Sequence, residues 1–238
     1  MGRAFEVRKQ SMAATSAKKA VLYNRMAREI YLAAREGSPD PTANLALRNA
    51  IDKAKSKQVP KDVIERAIKK ASGNDNDNYQ AIRYEGYGPG GSAIIVETLT
   101  NNVNRAVAEV RNCFTKTGGK LGVSGAVTHL FDHLALFAFT KHSVDEVFEQ
   151  LLLADCDVND VVDEEDQVVV YAPATAFNAV KTVLDSMGIS DFAMAEITML
   201  AQEEITLAGE EKERFEKLLN MLDECDDVQE VYHNVKLD

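Results

Sequence analysis

The chain has 238 residues, 45% of them apolar and 27% charged, with a formal net charge of −11. Those proportions belong to a globular protein of one to three domains; they exclude a low-complexity chain, a collagen-like repeat and a disulfide scaffold. The net charge conceals a segregation, because residues 1–72 hold 16 Lys and Arg against 7 Asp and Glu, whereas residues 73–238 hold 11 against 31.

The basic segment reads as helical. Leu22, Met26, Ile30 and Ala33 recur at helical spacing over residues 17–36, and Gly37 stands where a left-handed stop would fall. Asp40 and Pro41 make an N-cap and first-turn pair that predicts a second helix through Leu45, Leu47, Ile51 and Ala54. Val59-Pro60 breaks it, and Val63, Ile64, Ala67 and Ile68 define a third that ends near Gly73. Three helices with short links make a small bundle. The polar run GNDNDNYQ at 73–80 is a linker.

Strand chemistry follows. Residues 82–86 and 93–99 flank a glycine-rich turn, residues 102–117 are helical, GGKLGVSG at 118–125 is a loop, and Val127 to Phe131 is a strand candidate. Residues 135–199 give a strand, a helix opened by the capping box Ser143 and Glu146, two strands joined by DEED, a helix ending at Gly188, and a last strand. That order, β-α-β-β-α-β, is the ferredoxin-like split unit. A strand at 204–207, a helix at 210–224 and a strand at 228–235 close the chain. Neither these pieces nor the strands at 82–99 make a stable sheet alone, so they share one domain, interrupted by the ferredoxin-like unit. The expected architecture is α+β and multidomain: an arm and bundle over 1–80, a discontinuous α+β domain over 81–131 and 201–238, and an inserted ferredoxin-like domain over 132–200.

The basic face is the main candidate site. Lys18, Arg25, Arg28 and Arg35 project from the first helix within roughly 100° of arc. Arg3, Arg8 and Lys9 lie on the arm before it, beside Lys18 and Lys19, and Lys53, Lys55, Lys57 and Lys61 cluster at the end of the second helix. Cations at one surface neutralise phosphates and release counterions, which suits a nucleic-acid backbone. Reversing Lys18, Arg25 and Arg28 to glutamate is then expected to weaken binding and spare the fold. Lys69 and Lys70 also suit the dipole at a helix C-terminus without any ligand.

A second candidate is the loop YEGYGPGG at 84–91. Gly86, Gly88 and Gly91 satisfy a dinucleotide-binding spacing, but a strand-like SAIIVETL follows where a helix N-terminus is needed. A hairpin turn, or an exposed loop presenting Tyr87, Gly88, Pro89, Gly90 and Gly91 to a polymer, fits better, with Asn104 and Arg105 as polar contacts beside it. His129 and His133 in HLFDH lack the glutamate of a zinc-protease motif, and no nucleophile–base pair emerges. No catalytic residue, metal site or cofactor is expected. Cys113, Cys156 and Cys225 form no CxxC pair and fit a reducing compartment. The first ten residues, MGRAFEVRKQ, carry charges where an export signal has its apolar core, and no apolar run nears the ~18 residues of a membrane helix, so a cytoplasmic protein is expected.

With DPTANLALRNAI (40–51), VPKDVIERAIKKASG (59–73), RYEGYGPGGSAIIVETLTNNVNR (83–105), KTGGKLGVSGAV (116–127) and DECDDVQEVYHN (223–234) in view, the chain resembles the YebC/PmpR family, especially its YeeN-type members. The resemblance implies a helical bundle and two α+β domains, one inserted in the other. It implies a non-enzymatic regulator of gene expression that binds DNA, or alternatively a ribosome-associated translation factor that contacts ribosomal RNA and relieves stalling at proline-rich stretches. It implies no membrane and no small-molecule substrate. Many members carry a tryptophan in the N-terminal arm; Phe5 stands at the corresponding position here.

Overall fold

Met26, Ile30, Tyr31 and Ala34 line one stripe of the first helix, Lys19–Glu36 (α1), and their burial sets its packing face. In this computed structural model, which describes residues 19–73, 78–164 and 166–237, α1 packs against Leu45–Ser56 (α2) and Lys61–Ala71 (α3). Leu47, Ile51, Ala54, Val59, Ile64 and Ala67 fill the space between them.

The joint between α1 and α2 departs from the expectation. Asp40 does not cap α2. It accepts the Thr42 amide at 2.9 Å and closes a separate turn, and the cap is Asn44, whose Oδ1 accepts from the Leu47 amide at 3.0 Å. The Asn44 Nδ2 donates backwards to the carbonyls of Ala33 and Ser38, both at 2.8 Å. One buried amide thus satisfies orphan groups at the end of α1 and the start of α2. Gly37 is not in the left-handed region. A Cβ there would stand 2.5 Å from Asn44 Nδ2, so close approach is what requires the glycine.

The remaining described residues form two four-stranded antiparallel sheets. The first contains Gln80–Tyr87 (β1), Ala93–Thr100 (β2), Lys120–Leu121 (β3) and Val228–His233 (β8), in the order β3-β1-β2-β8. Helices Val103–Lys116 (α4) and Gly209–Glu224 (α7) pack on it through Val110, Phe114, Phe215 and Leu218. Gly86 faces α4, where a Cβ would meet the Phe114 ring at 2.8 Å. The second sheet contains Phe131–Phe139 (β4), Asp160–Glu164 (β5), Gln167–Pro173 (β6) and Phe192–Ala201 (β7), in the order β5-β6-β4-β7. This is the ferredoxin-like strand order. Its helices Val144–Leu153 (α5) and Phe177–Ser186 (α6) cover Phe137, Phe139, Val168 and Val170. Ser143 caps α5 by accepting the Glu146 amide, as the capping box predicts.

By internal contacts Phe131–Gln202 is one compact unit, while the bundle, the first sheet and Glu203–Lys236 form the other. The chain is therefore a helical bundle with two α+β domains. Two strand expectations fail. Residues 128–130 are a 3-10 turn that leads into a single β4, so Val127 to Phe131 is not a strand of its own. Residues 204–207 contribute only the bridge from Ile205 to Val235. The two-residue β3 lies within the segment expected to be all loop. Among the described residues no helix is long and apolar enough to cross a membrane.

Candidate nucleic-acid interface

The cations of the bundle fall into two populations. The first turns toward the acidic segment that ends α7 and forms β8. Arg25 donates from NH1 to Asp223 Oδ1 at 3.0 Å and from NH2 to the Asp223 carbonyl at 2.7 Å, and its side chain is 11% exposed. Arg28 NH1 donates to the Asp226 carbonyl and lies 3.3 Å from Asp227 Oδ1, with its guanidinium 5.8 Å from the centre of the Tyr79 ring. The Lys53 ammonium sits between Glu29 at 3.2 Å and Glu230 at 3.5 Å, and Lys57 reaches Glu230 at 3.4 Å. Burial alone would favour neutral Lys53, but the two carboxylates outweigh it and hold its pKa above the usual lysine value.

Asp227 is the centre of this contact. Its carboxylate is 1% exposed and accepts from Arg105 Nε at 3.0 Å, Arg105 NH2 at 2.8 Å and Thr100 Oγ1 at 2.8 Å, besides facing Arg28. A buried carboxylate is stable only when paired and hydrogen-bonded, and here a bidentate guanidinium meets that need. Arg25, Arg28, Lys53 and Lys57 therefore form internal pairs and do not stand free on a common face. Reversing Arg25 and Arg28 breaks pairs within the fold, contrary to the expectation that the fold would be spared.

The second population points outward. Lys19, Arg48, Lys55, Lys61, Arg66 and Lys69 are exposed. Among the described residues, Lys55, Lys61 and Arg66 pair at short range within their helices with Asp52, Glu65 and Asp62, and the Lys61 side chain is 88% exposed. Such surface pairs contribute little and yield readily to a polyanion. Of the expected contacts, Lys19, Lys55 and Lys61 belong to this set, and Arg3, Arg8, Lys9 and Lys18 lie outside the described residues. Arg48 was not among the expected contacts, although its spacing of seven from Lys55 puts both within about 20° on α2.

The glycine-rich loop is not a bare cradle. Gly88 and Pro89 are buried, the Gly88 amide donates to the Ser92 carbonyl at 2.8 Å, and a Cβ on Gly90 would strike Leu207 at 2.3 Å. Gly90 and Gly91 take positive φ values of 62° and 74° at the surface. Tyr87 is 43% exposed and donates its hydroxyl to the Ala126 carbonyl. Asn104 and Arg105 do not stand beside this loop. The loop precedes Ala93 and they follow Thr100, so the eight residues of β2 separate them by about 24 Å. What the loop meets is the second glycine string. A Cβ on Gly119 would lie 2.8 Å from the Tyr87 carbonyl oxygen, and β3 pairs with β1.

That string is held by Glu85, a buried carboxylate of β1. Its Oε1 accepts the Gly125 amide at 2.8 Å, and its Oε2 accepts the amides of Val127 and Thr128, both at 2.9 Å. Burial would raise this carboxyl, but the converging amides outweigh it and hold its pKa down at about 2. Near the other end of β2, Arg28, Tyr79, Asn101, Arg105, Glu109 and Cys225 line an open cleft of about 370 Å³. Among the described residues, no group of three or more His, Cys, Asp or Glu is placed to hold a metal ion.

Residues 3–74 match the family model of the TACO1/YebC N-terminal domain, and residues 79–235 match the model of the TACO1/YebC second and third domains. The chain belongs to the TACO1/YebC family. Members from strains of Vibrio cholerae serotype O1, named probable transcriptional regulatory proteins, are 48% identical over the whole of both chains. The crystal structure of a conserved hypothetical protein, Aq1575 from Aquifex aeolicus, superposes with a TM-score of 0.77 at 36% identity, covering 94% of this chain and 93% of that one. The bundle and the two antiparallel α+β domains are thus the TACO1/YebC fold, and the segment DECDDVQEVYHN (223–234) supplies the carboxylates of Asp223, Asp227 and Glu230 that hold the bundle's inward cations.

Proposed function

We propose that the chain is a non-enzymatic, cytoplasmic transcriptional regulatory protein that grips duplex DNA through the outward cations of its bundle, Lys19, Arg48, Lys55, Lys61, Arg66 and Lys69. The arm cations Arg3, Arg8, Lys9 and Lys18 add phosphate contacts of their own. The working division is three domains: 1–80, 81–131 with 201–238, and 132–200. The observation that carries the reading is the sorting of charge: the inward cations are neutralised by Asp223, Asp227 and Glu230, whereas Lys55, Lys61 and Arg66 pair at the surface within their own helices and Arg48 donates to the exposed carbonyls of Pro41 and Thr42. The names of the Vibrio cholerae relatives support transcription as the setting. The acidic body repels the same backbone, which restricts docking to one side of the bundle.

The test is a titration of labelled duplexes by fluorescence anisotropy at stepwise salt. Four phosphate contacts weaken affinity by about 10²-fold between about 50 and about 200 mM salt, and a true target fragment is bound at least ~10³-fold more tightly than random duplex. Absence of duplex binding at every salt concentration overturns the DNA reading. Co-sedimentation with ribosomal particles and no duplex preference would assign the same cations to ribosomal RNA.

A further inference from the structure

Cys113, on the buried face of α4, and Cys225, which closes α7, stand with their sulfurs 3.7 Å apart across 112 residues of sequence. A bond at the disulfide length of ~2.05 Å requires an approach of only about 1.7 Å. Cys113 is buried, whereas Cys225 is half-buried and lines the open cleft beside Arg28 and Arg105. Their mutual hydrogen bond pulls the Cys113 thiol below the usual cysteine range and pushes Cys225 above it, so Cys113 is the more acidic sulfur of the pair. Cys156, on the other compact unit, is pushed up by burial, with Asp155 adding to the shift.

We propose that Cys113 and Cys225 form a peroxide-oxidisable dithiol, a modification site that cross-links α4 to the acidic segment following α7. Cys225 keeps its proton and donates it toward Cys113, so the attacking sulfur is the Cys113 thiolate. It attacks one oxygen of hydrogen peroxide, the O–O bond breaks, and hydroxide leaves, giving a sulfenic acid on Cys113. That hydroxide takes the Cys225 proton and becomes water. The Cys225 sulfur then attacks the Cys113 sulfur, forming the S–S bond and breaking the S–O bond, and the second hydroxide is protonated by solvent. Two electrons pass from the sulfurs to the peroxide.

The consequence reaches the bundle contact. Cys225 lies between Asp223 and Asp227, the carboxylates that hold Arg25, Arg28 and Arg105. A disulfide there closes a loop spanning the whole unit of residues 131–202, so the oxidised protein melts higher, by at least ~5 °C. Because a reducing compartment keeps the pair as thiols, the cross-link reports oxidant exposure.

The test uses the full chain, reduced, freed of reductant and treated with hydrogen peroxide. The mass falls by about 2 Da, titratable thiols in denaturant fall from three to one, and a proteolytic map finds the Cys113–Cys225 peptide. Cys156→Ser still cross-links, and Cys225→Ser and Cys113→Ala each abolish the linked peptide. Retention of three thiols overturns the proposal, as does a gain of about 16 Da per oxygen without the linked peptide, or a disulfide between separate chains. The wild-type map is decisive even where a variant folds poorly.

Discussion

Replacing Asp227 with alanine is expected to lower the unfolding free energy by about 2–4 kcal/mol, read as a fall in the urea midpoint. Asp227 joins three elements: Thr100 at the end of β2, Arg105 in the first turn of α4, and Arg28 on α1. Its removal strands a guanidinium fork and part of a second guanidinium, while the Thr100 hydroxyl keeps the Asn102 carbonyl as an acceptor. The range sits below that of a fully buried pair because the Arg105 side chain is 43% exposed and regains water. Asp227→Asn, with one acceptor oxygen and a donor facing Arg105, recovers little of the loss. An Asp227→Ala protein with an unchanged midpoint would remove the argument that this carboxylate holds the bundle to the sheet.

The second large effect concerns Glu85 and acid. The folded protein holds this carboxyl at about 2, against 4.5 for the free side chain. Between those values the unfolded chain binds more protons than the folded one, so stability rises with pH across that window. The contribution is present in full above about pH 4.5, disappears as pH falls toward 2, and amounts to about 3 kcal/mol. Glu85→Gln turns an amide NH₂ toward the backbone amides of Gly125, Val127 and Thr128 and is expected to lose most of it at neutral pH. Urea midpoints of the wild type and Glu85→Gln therefore converge as the pH is lowered from 5 to about 2. A constant gap across that range would contradict the account.

Local signals carried much of this architecture in the sequence. The stripe from Leu22 to Ile30, the break at Val59-Pro60 and the capping box at Ser143 appear where periodicity and cap chemistry put them. The strand order of the second sheet follows from the β-α-β-β-α-β succession. Where the reading failed, a tertiary partner decided. Asn44 outcompetes Asp40 as a cap because its amide also reaches the carbonyls of Ala33 and Ser38. Residues 128–130 turn because the Thr128 amide is held by Glu85, 43 residues away in sequence. The candidate interface divides in the same way. Composition reveals a basic segment on an acidic chain, but Arg25 and Asp223 are 198 residues apart, and no local pattern tells an inward arginine from an outward lysine.

That division is the central claim, and the slope of log affinity for duplex DNA against log salt tests it most directly. It should be measured together with melting temperature on three proteins: wild type, Arg25→Ala/Arg28→Ala, and Lys55→Gln/Lys61→Gln/Lys69→Gln. The outward triple variant should melt within ~2 °C of wild type and flatten the slope by about 2.7, or about 0.9 for each lost phosphate contact. The inward double variant should keep the wild-type slope and melt several degrees lower. A flattened slope at an unchanged melting temperature in the inward variant, with no change of slope in the outward one, would contradict the account.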